Sequence, residues 1–105
     1  MRTLDYTAPC LEGEDGQRIA RLVRHLAARL EDFGPGGPEV VSANQSTGVV
    51  LARFPGHRLE EVADGLERRG ILAAREGETA AFYLNGSHRF EDLDRLWGCL
   101  YDILG

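Results

Sequence analysis

The chain contains no lysine, because all twelve of its basic side chains are arginine. Without lysine, it has no side-chain amine that could form a Schiff base with a carbonyl compound. It also lacks any apolar run close to the ~20 residues that cross a bilayer, so no membrane partner is predicted. The N-terminal stretch includes Asp5 and no uninterrupted hydrophobic segment, which is not typical of a signal peptide. These absences predict a cytoplasmic protein.

Basic charge is also scarce. The formal net charge is −5, and the arginines are spread among acids. Proteins that bind nucleic acids normally present a basic face to the phosphates, so no nucleic-acid partner is predicted. Only two cysteines occur, Cys10 and Cys99, far apart and without ligand-like neighbours. The simplest interpretation of Cys99 is a buried thiol, and neither a disulfide nor a metal role is favoured.

With 105 residues, the chain is expected to form one domain. Residues 1–14 read as a lead-in segment that does not pack, and residues 15–105 as a single small α/β domain. Apolar periodicity and turn residues in that domain predict the order α-β-β-α-β-β-α. Asp15 is a plausible N-cap of the first helix, and Gly70 a C-terminal glycine of the second. The predicted fold class is α+β, a two-layer sandwich with the helices on one face of a mainly antiparallel sheet.

Few side chains suggest chemistry. His25, His57 and His88 are widely separated and form no metal-binding pattern, so no metal site is predicted. Asp92 and Asp94 are expected on different faces of the last helix, which does not support catalysis by a carboxylate pair. Phe90 and Trp97 are interpreted as core residues. No catalytic residue is predicted from the pattern alone.

One long stretch and its neighbours resemble a known family. The sequence from Thr47 to Gly70, T-G-V-V-L-A-R-F-P-G-H-R-L-E-E-V-A-D-G-L-E-R-R-G, reads as a strand, a Pro-Gly corner and a helix, and is followed by Ile71. Together with the first helix and the R-F-E-D-L-D-R-L stretch from Arg89 to Leu96, it resembles the C-terminal small domain of fold-type I pyridoxal-phosphate enzymes. The branch it resembles is the class V aminotransferases and cysteine desulfurases.

The resemblance implies a cofactor but not that this chain binds it. In that family, the lysine and the other residues that hold pyridoxal phosphate belong to a large domain, which has no counterpart here. Ala81 aligns with the position where the family usually has its substrate-carboxylate arginine. The loop Glu76–Glu78 has no cysteine, so desulfurase chemistry is unsupported. Partners implied by the resemblance are a large domain that binds pyridoxal phosphate, or further copies of this chain.

Two arginines are the candidate substrate-binding residues. Arg75 ends the strand after Gly70-Ile71, beside a glycine turn, and could bind a carboxylate through two hydrogen bonds. Arg53 interrupts an otherwise apolar strand. Each has a plainer interpretation: Arg75 paired with Glu76 or Glu78, and Arg53 on the polar side of a half-exposed strand.

Two functions remain open from the sequence. The first is the small-domain part of an aminotransferase-like protein that depends on pyridoxal phosphate and is inactive by itself. The second is a freestanding, dimeric α/β module that binds a ligand or another protein, because fold does not decide function. The turn Asn44–Thr47 would suit contacts with an anion, although ordinary turn preference explains it fully.

Overall fold

The computed structural model describes residues 3–10 and 13–104. The elements in chain order are β1 (Leu4–Tyr6), α1 (Gly16–Glu31), β2 (Glu39–Asn44), β3 (Val49–Arg53), α2 (Leu59–Arg68), β4 (Ile71–Glu76), β5 (Thr79–Tyr83) and α3 (Phe90–Leu104). From α1 onward, this is the predicted order. Three helices and a mainly antiparallel sheet confirm the α+β class.

The sheet has five strands in the order β1-β4-β5-β3-β2. Strands β2 to β5 form antiparallel pairs, and β1 joins the edge of the sheet parallel to β4. A register shift between Val40 and Ser42 marks a bulge in β2 at Val41. Strand β5 is therefore central, with β4 on one side and β3 on the other.

Strand β1 corrects the expectation that residues 1–14 do not pack. Leu4 and Tyr6 are 2% and 0% exposed and belong to the hydrophobic core. The Tyr6 hydroxyl donates to the carbonyl of Asp92 at 2.8 Å. The alternation of buried Leu4, exposed Asp5 and buried Tyr6 is typical of a strand. Three residues are too few for that alternation to stand out in the sequence.

The helices begin and end for the local reasons that the sequence indicates. The Asp15 carboxylate caps α1 by accepting from the backbone N–H groups of Gln17 and Arg18. The helix buries one stripe at helical spacing: Ile19, Leu22, Val23, Leu26 and Leu30. Gly70 follows α2 with φ of 78°, the left-handed conformation predicted for a C-terminal glycine. Within the described residues, no helix is long and apolar enough to span a membrane.

The core is one cluster that joins the buried faces of the helices to alternate residues of the sheet. The strands β3 and β5 contribute Val50, Ala52, Ala80 and Phe82 to this cluster. Val49 and Leu51 alternate with them along β3, are only half-buried, and do not belong to that cluster. The two sides of the sheet therefore differ, and the cluster lies on the side of Val50 and Phe82.

Two aromatic residues of α3 differ from their expected core positions. Phe90 is 39% exposed, so its assignment to the core is wrong. It lies at the first turn of the helix, where its ring contacts the edge of His25. Trp97 is half-buried: its ring stacks near Tyr101, and the Arg29 guanidinium lies 4.5 Å from the ring centre. Both residues thus lie at the outer edge of the contact between α1 and α3 and not inside it.

A polar contact also joins α1 to α3. Asp94 accepts from His25 Nε2 at 2.9 Å and from Arg29 Nε at 3.2 Å. The hydrogen bond from His25 is the main cause that lowers the pKa of Asp94. Burial opposes it, and the charges of His25 and Arg29 and the hydrogen bond from Arg29 lower that pKa further. Asp92 lies elsewhere on the helix and accepts from the Arg89 N–H, so the two carboxylates do face different partners.

This contact predicts a pH-dependent contribution to stability. Because the folded pKa of Asp94 lies below its unfolded value of about 3.9, its stabilisation is present above that value and is lost as the pH falls through the folded pKa. We expect Asp94→Asn to lower the free energy of unfolding by about 0.5–1 kcal/mol at neutral pH. Urea titrations should show that this difference disappears in acid. Asp64→Asn, at an exposed position of α2, is the control and should show no such convergence.

Candidate functional site

A cleft lies at the end of the sheet where β3 stops and α2 begins. Its volume is about 570 Å³, and its walls come from the end of β3, the corner at Pro55, the first turn of α2 and the turn between β4 and β5. Arg53 and Arg75, the two candidate residues from the sequence, both line it. These two arginines are far apart in the sequence. Strands β3 and β4 both pair with β5, which brings the arginines to the same end of the sheet.

Local sequence explains the shape of this cleft. Phe54 is 6% exposed and anchors the end of β3 in the core, after which the chain turns at Pro55-Gly56. Gly56 and Gly77 have φ values of 80° and 61°, in the left-handed region that favours glycine. One glycine turns the chain toward α2, and the other closes the hairpin between β4 and β5. The two turns leave the space between them open.

Arg53 and Arg75 approach the cleft from opposite sides of the sheet. Arg75 is directly opposite Ala80 in the sheet and so shares the core side with it, whereas Arg53 follows Ala52 and points the other way. An Arg53 guanidinium nitrogen lies 2.8 Å from Glu39, and an Arg75 nitrogen lies 3.8 Å from Glu60. The partner of Arg75 is therefore on α2, not the neighbouring Glu76 or Glu78 that the plainer interpretation favoured. Both arginines are exposed.

Two further cleft residues were not selected from the sequence. Arg58, just before α2, lines the cleft and has no ion-pair partner among the described residues. His57 lies beside it in the same corner. The signal for both was present, since a Pro-Gly corner after a strand places the next residues at the end of the sheet. The sequence did not show that Arg58 would share a cleft with Arg75.

The charged side chains that line the cleft balance in sign. Arg53, Arg58 and Arg75 line it together with Glu39, Glu60 and Glu78. Because Arg53 and Arg75 already have carboxylate neighbours, a bound anion must compete for them. Arg58 has no ion-pair partner among the described residues, so a bound anion does not compete with a carboxylate for it. The arrangement can therefore hold a carboxylate through planar, paired hydrogen bonds from guanidinium groups.

The other polar residues considered from the sequence lie away from the cleft. The Asn44–Thr47 turn follows β2 at the opposite end of that strand from Glu39. The Asn44 side chain accepts from the backbone N–H groups of Ser46 and Thr47, which is ordinary turn chemistry. Ala81 is fully buried in β5, between Leu51 and Ala74. Neither Ala81 nor this turn contributes to the cleft.

His88 has a structural role that the sequence did not indicate. It is 2% exposed, and its ring stacks on Tyr6 with 4.6 Å between the ring centres. Its Nδ1 accepts from the Asn85 N–H at 3.0 Å, so Nε2 carries the proton and donates to the Asp5 carbonyl at 2.8 Å. His88 thereby ties β1 to the segment before α3. Its ring nitrogens are used in these contacts rather than for chemistry.

Cysteines and metal-binding groups add no second site. Cys10 and Cys99 are free, half-buried and packed against the hydrophobic core, so Cys99 is less buried than the sequence interpretation expected. In the part of the chain that the structure describes, no group of three or more histidine, cysteine, aspartate or glutamate side chains could hold a metal ion. The arginine-lined cleft therefore remains the candidate site.

No protein-family model matches the chain, and no curated protein matches it.

Proposed function

We propose that this chain is a non-catalytic small domain of an aminotransferase-like protein that depends on pyridoxal phosphate. In this role it would lie against a large domain that holds the cofactor, or assemble with further copies of itself, and its arginine-lined cleft would bind a substrate carboxylate. The proposal starts from the resemblance of Thr47–Gly70 to the family's strand, corner and helix. The observation that carries it is that Arg53 and Arg75 lie in one cleft together with Arg58.

The residues present do not fit pyridoxal phosphate itself. The cofactor is held covalently through a lysine amine in such enzymes, and this chain has no lysine. No step of cofactor chemistry is therefore assigned to it. Its proposed contribution is limited to binding and orienting a carboxylate, which guanidinium groups do through fixed, planar pairs of donors.

Carboxylate binding provides the test of this role. We expect a small dicarboxylate such as succinate to bind at the cleft, with nuclear magnetic resonance shifts confined to the corner at Pro55 and the turn at Gly77. Arg75→Ala and Arg58→Ala should each weaken binding about tenfold, the loss expected for one charge-assisted hydrogen-bonding group. Arg68→Ala, which removes the same charge from the exposed far end of α2, is the matched control and should leave binding unchanged.

Removal of a competing carboxylate should have the opposite effect. Glu60 lies 3.8 Å from Arg75, so Glu60→Gln frees that guanidinium and is expected to tighten succinate binding several-fold. If succinate binds equally well to Arg75→Ala and Glu60→Gln, the cleft is not the site and the proposal fails. A persistent Schiff-base absorption band formed with added pyridoxal phosphate, beyond that of the α-amino group, would contradict the non-catalytic assignment.

A second candidate is a freestanding ligand-binding or interaction module that is dimeric. The observation that favours it is the exposure of large apolar side chains on the strands, Val41 at 49% and Leu72 at 36%. A lysine-bearing large domain encoded in the same or a neighbouring reading frame would favour the first candidate. A stable homodimer whose cleft does not bind carboxylates would favour the second.

A further inference from the structure

One side of the sheet carries an apolar patch outside the core cluster. Directly paired residues in a sheet share a face, and side chains alternate between faces along each strand. The pairs Leu51–Ala81 and Ala81–Ala74 therefore lie on the side opposite Val50 and Phe82. We call this side the open face. Its apolar members that reach the surface are Val49, Leu51, Ala74 and Tyr83, which are half-buried, and Leu72, which is exposed; Ala81 lies among them but is fully buried.

Charged side chains border the open face at the end of the sheet near the cleft. Arg53 is two residues after Leu51 and Glu76 is two residues after Ala74, so both lie on the open face. Both are exposed, and Glu76 is directly opposite Thr79 of β5. Continuing the register of β3 against β5 places Arg53 on the other side of Thr79. The open face thus has Arg53, already 2.8 Å from Glu39 of the neighbouring strand, on one side of its central strand and Glu76 on the other. A guanidinium carries five N–H donors, so Arg53 can donate to a second carboxylate as well.

This arrangement is self-complementary under two-fold symmetry. Because β5 is central, a two-fold axis parallel to β5 and above the open face places β3 of one copy over β4 of the other. Arg53 then faces Glu76 of the partner subunit, and the symmetry repeats this pair of opposite charges. Leu51 faces the small Ala74 of the partner subunit, so a large side chain meets a small one.

We propose that the open face is the interface of a homodimer, in which two sheets pack face to face about an axis along β5. Sheets that pack in this way keep their strand directions within about 30° of each other. The twist of the two sheets therefore displaces facing residues least at β5 and its neighbours β3 and β4. The facing pairs Arg53–Glu76 and Leu51–Ala74 lie on these strands. The occupant is a second copy of the chain because the face complements itself in both charge and side-chain size.

The dimer and the cleft share Arg53 but can be tested separately. Glu76 does not line the cleft, so its variants probe the dimer alone. A failure of carboxylate binding would thus leave the dimer intact, and a monomeric protein could still bind succinate. The two proposals are distinguishable by separate measurements.

Reversal of the two charges tests the dimer. Sedimentation equilibrium of the wild-type chain should give a dimer at micromolar concentration. Arg53→Glu and Glu76→Arg should each weaken the dimer at least about tenfold, since each places like charges opposite each other at two symmetric positions. Glu39 lies directly opposite Arg53 within the same chain, so the rescue is measured in a Glu39→Gln background. There the double variant Arg53→Glu/Glu76→Arg should recover the affinity to within about threefold of the Glu39→Gln parent, because it restores both pairs between subunits with their signs exchanged.

Further variants separate the interface from general effects. Glu67→Arg changes the net charge by the same amount as Glu76→Arg but at an exposed position of α2. It should leave the dimer intact. Leu51→Asp removes an apolar contact at the centre of the face and should yield a monomer, with circular dichroism confirming that it folds. A monomeric wild type would overturn the homodimer and leave the open face to a partner of another sequence. The homodimer proposal would also fail if Leu51→Asp remained dimeric and both single charge variants dimerised as strongly as the wild type. That result would place the interface elsewhere.

Discussion

Tyr6→Ala is expected to lower the free energy of unfolding by about 3–5 kcal/mol, the range for removing a large buried aromatic side chain. Tyr6 is fully buried, meets Phe82 edge to face with ring centres 6.0 Å apart, and stacks on His88. Truncation would leave a cavity among these rings and remove the hydrogen bond to the Asp92 carbonyl. Chemical denaturation followed by fluorescence of Trp97 measures the change.

Tyr6→Phe is the matched variant, because it keeps the ring and removes only the hydroxyl. Its expected cost is about 0.5–1.5 kcal/mol, the usual net value of one hydrogen bond. If alanine and phenylalanine cost the same small amount, β1 would contribute little to the core, and the interpretation of residues 1–14 as an unpacked lead-in would be restored.

Gly48→Ala is expected to destabilise the chain by about 2–5 kcal/mol, from left-handed strain together with overpacking. Gly48 has φ of 75°, and a Cβ atom there would lie 2.8 Å from the Leu84 carbonyl oxygen and 2.9 Å from Ile19 Cγ2. The Leu84 oxygen is part of the backbone and cannot rotate away. Leu84 also donates its N–H to the Gly48 carbonyl at 2.8 Å, which holds the two segments together. Thermal unfolding by calorimetry is the measurement.

Gly34→Ala separates the two causes. Gly34 has a similar φ of 81°, but nothing lies within 4 Å of the added Cβ atom. Its cost should be that of the left-handed backbone alone, about 1–2 kcal/mol. Equal losses in the two variants would show that the close approach of Gly48 to Leu84 and Ile19 has no energetic consequence.

Most of the fold follows from local sequence signals. Asp15 and Gly70 correctly marked the start of the first helix and the end of the second. The Gly77 turn likewise predicted the hairpin of β4 and β5. Strand β1 was missed because its evidence is not local: Leu4 and Tyr6 are recognisable as core residues only once β4 is beside them. Phe90 was misassigned because helical periodicity gives a direction but not the depth of a helix end.

The candidate site was predictable in its parts but not in its assembly. Arg53 and Arg75 stood out because charged side chains interrupt or end apolar strands. Their meeting with Arg58 depends on which strands are neighbours, and single-sequence periodicity does not determine the order of strands in a sheet. The pairing of Arg75 with Glu60 depends on the placement of α2 against β4. Tertiary geometry therefore decided which arginines share the cleft.

The parallel pairing of β1 with β4 also has a consequence for how the chain folds. The ribosome synthesises β1 before β4, with α1, β2, β3 and α2 between them. Leu4 and Tyr6 consequently remain without their sheet partner until β4 has emerged from the exit tunnel. Closing so long a loop is entropically costly, and non-local pairings slow folding. Strand β1 is thus expected to be among the last elements to dock, so the edge of β4 stays open to other chains until β1 covers it.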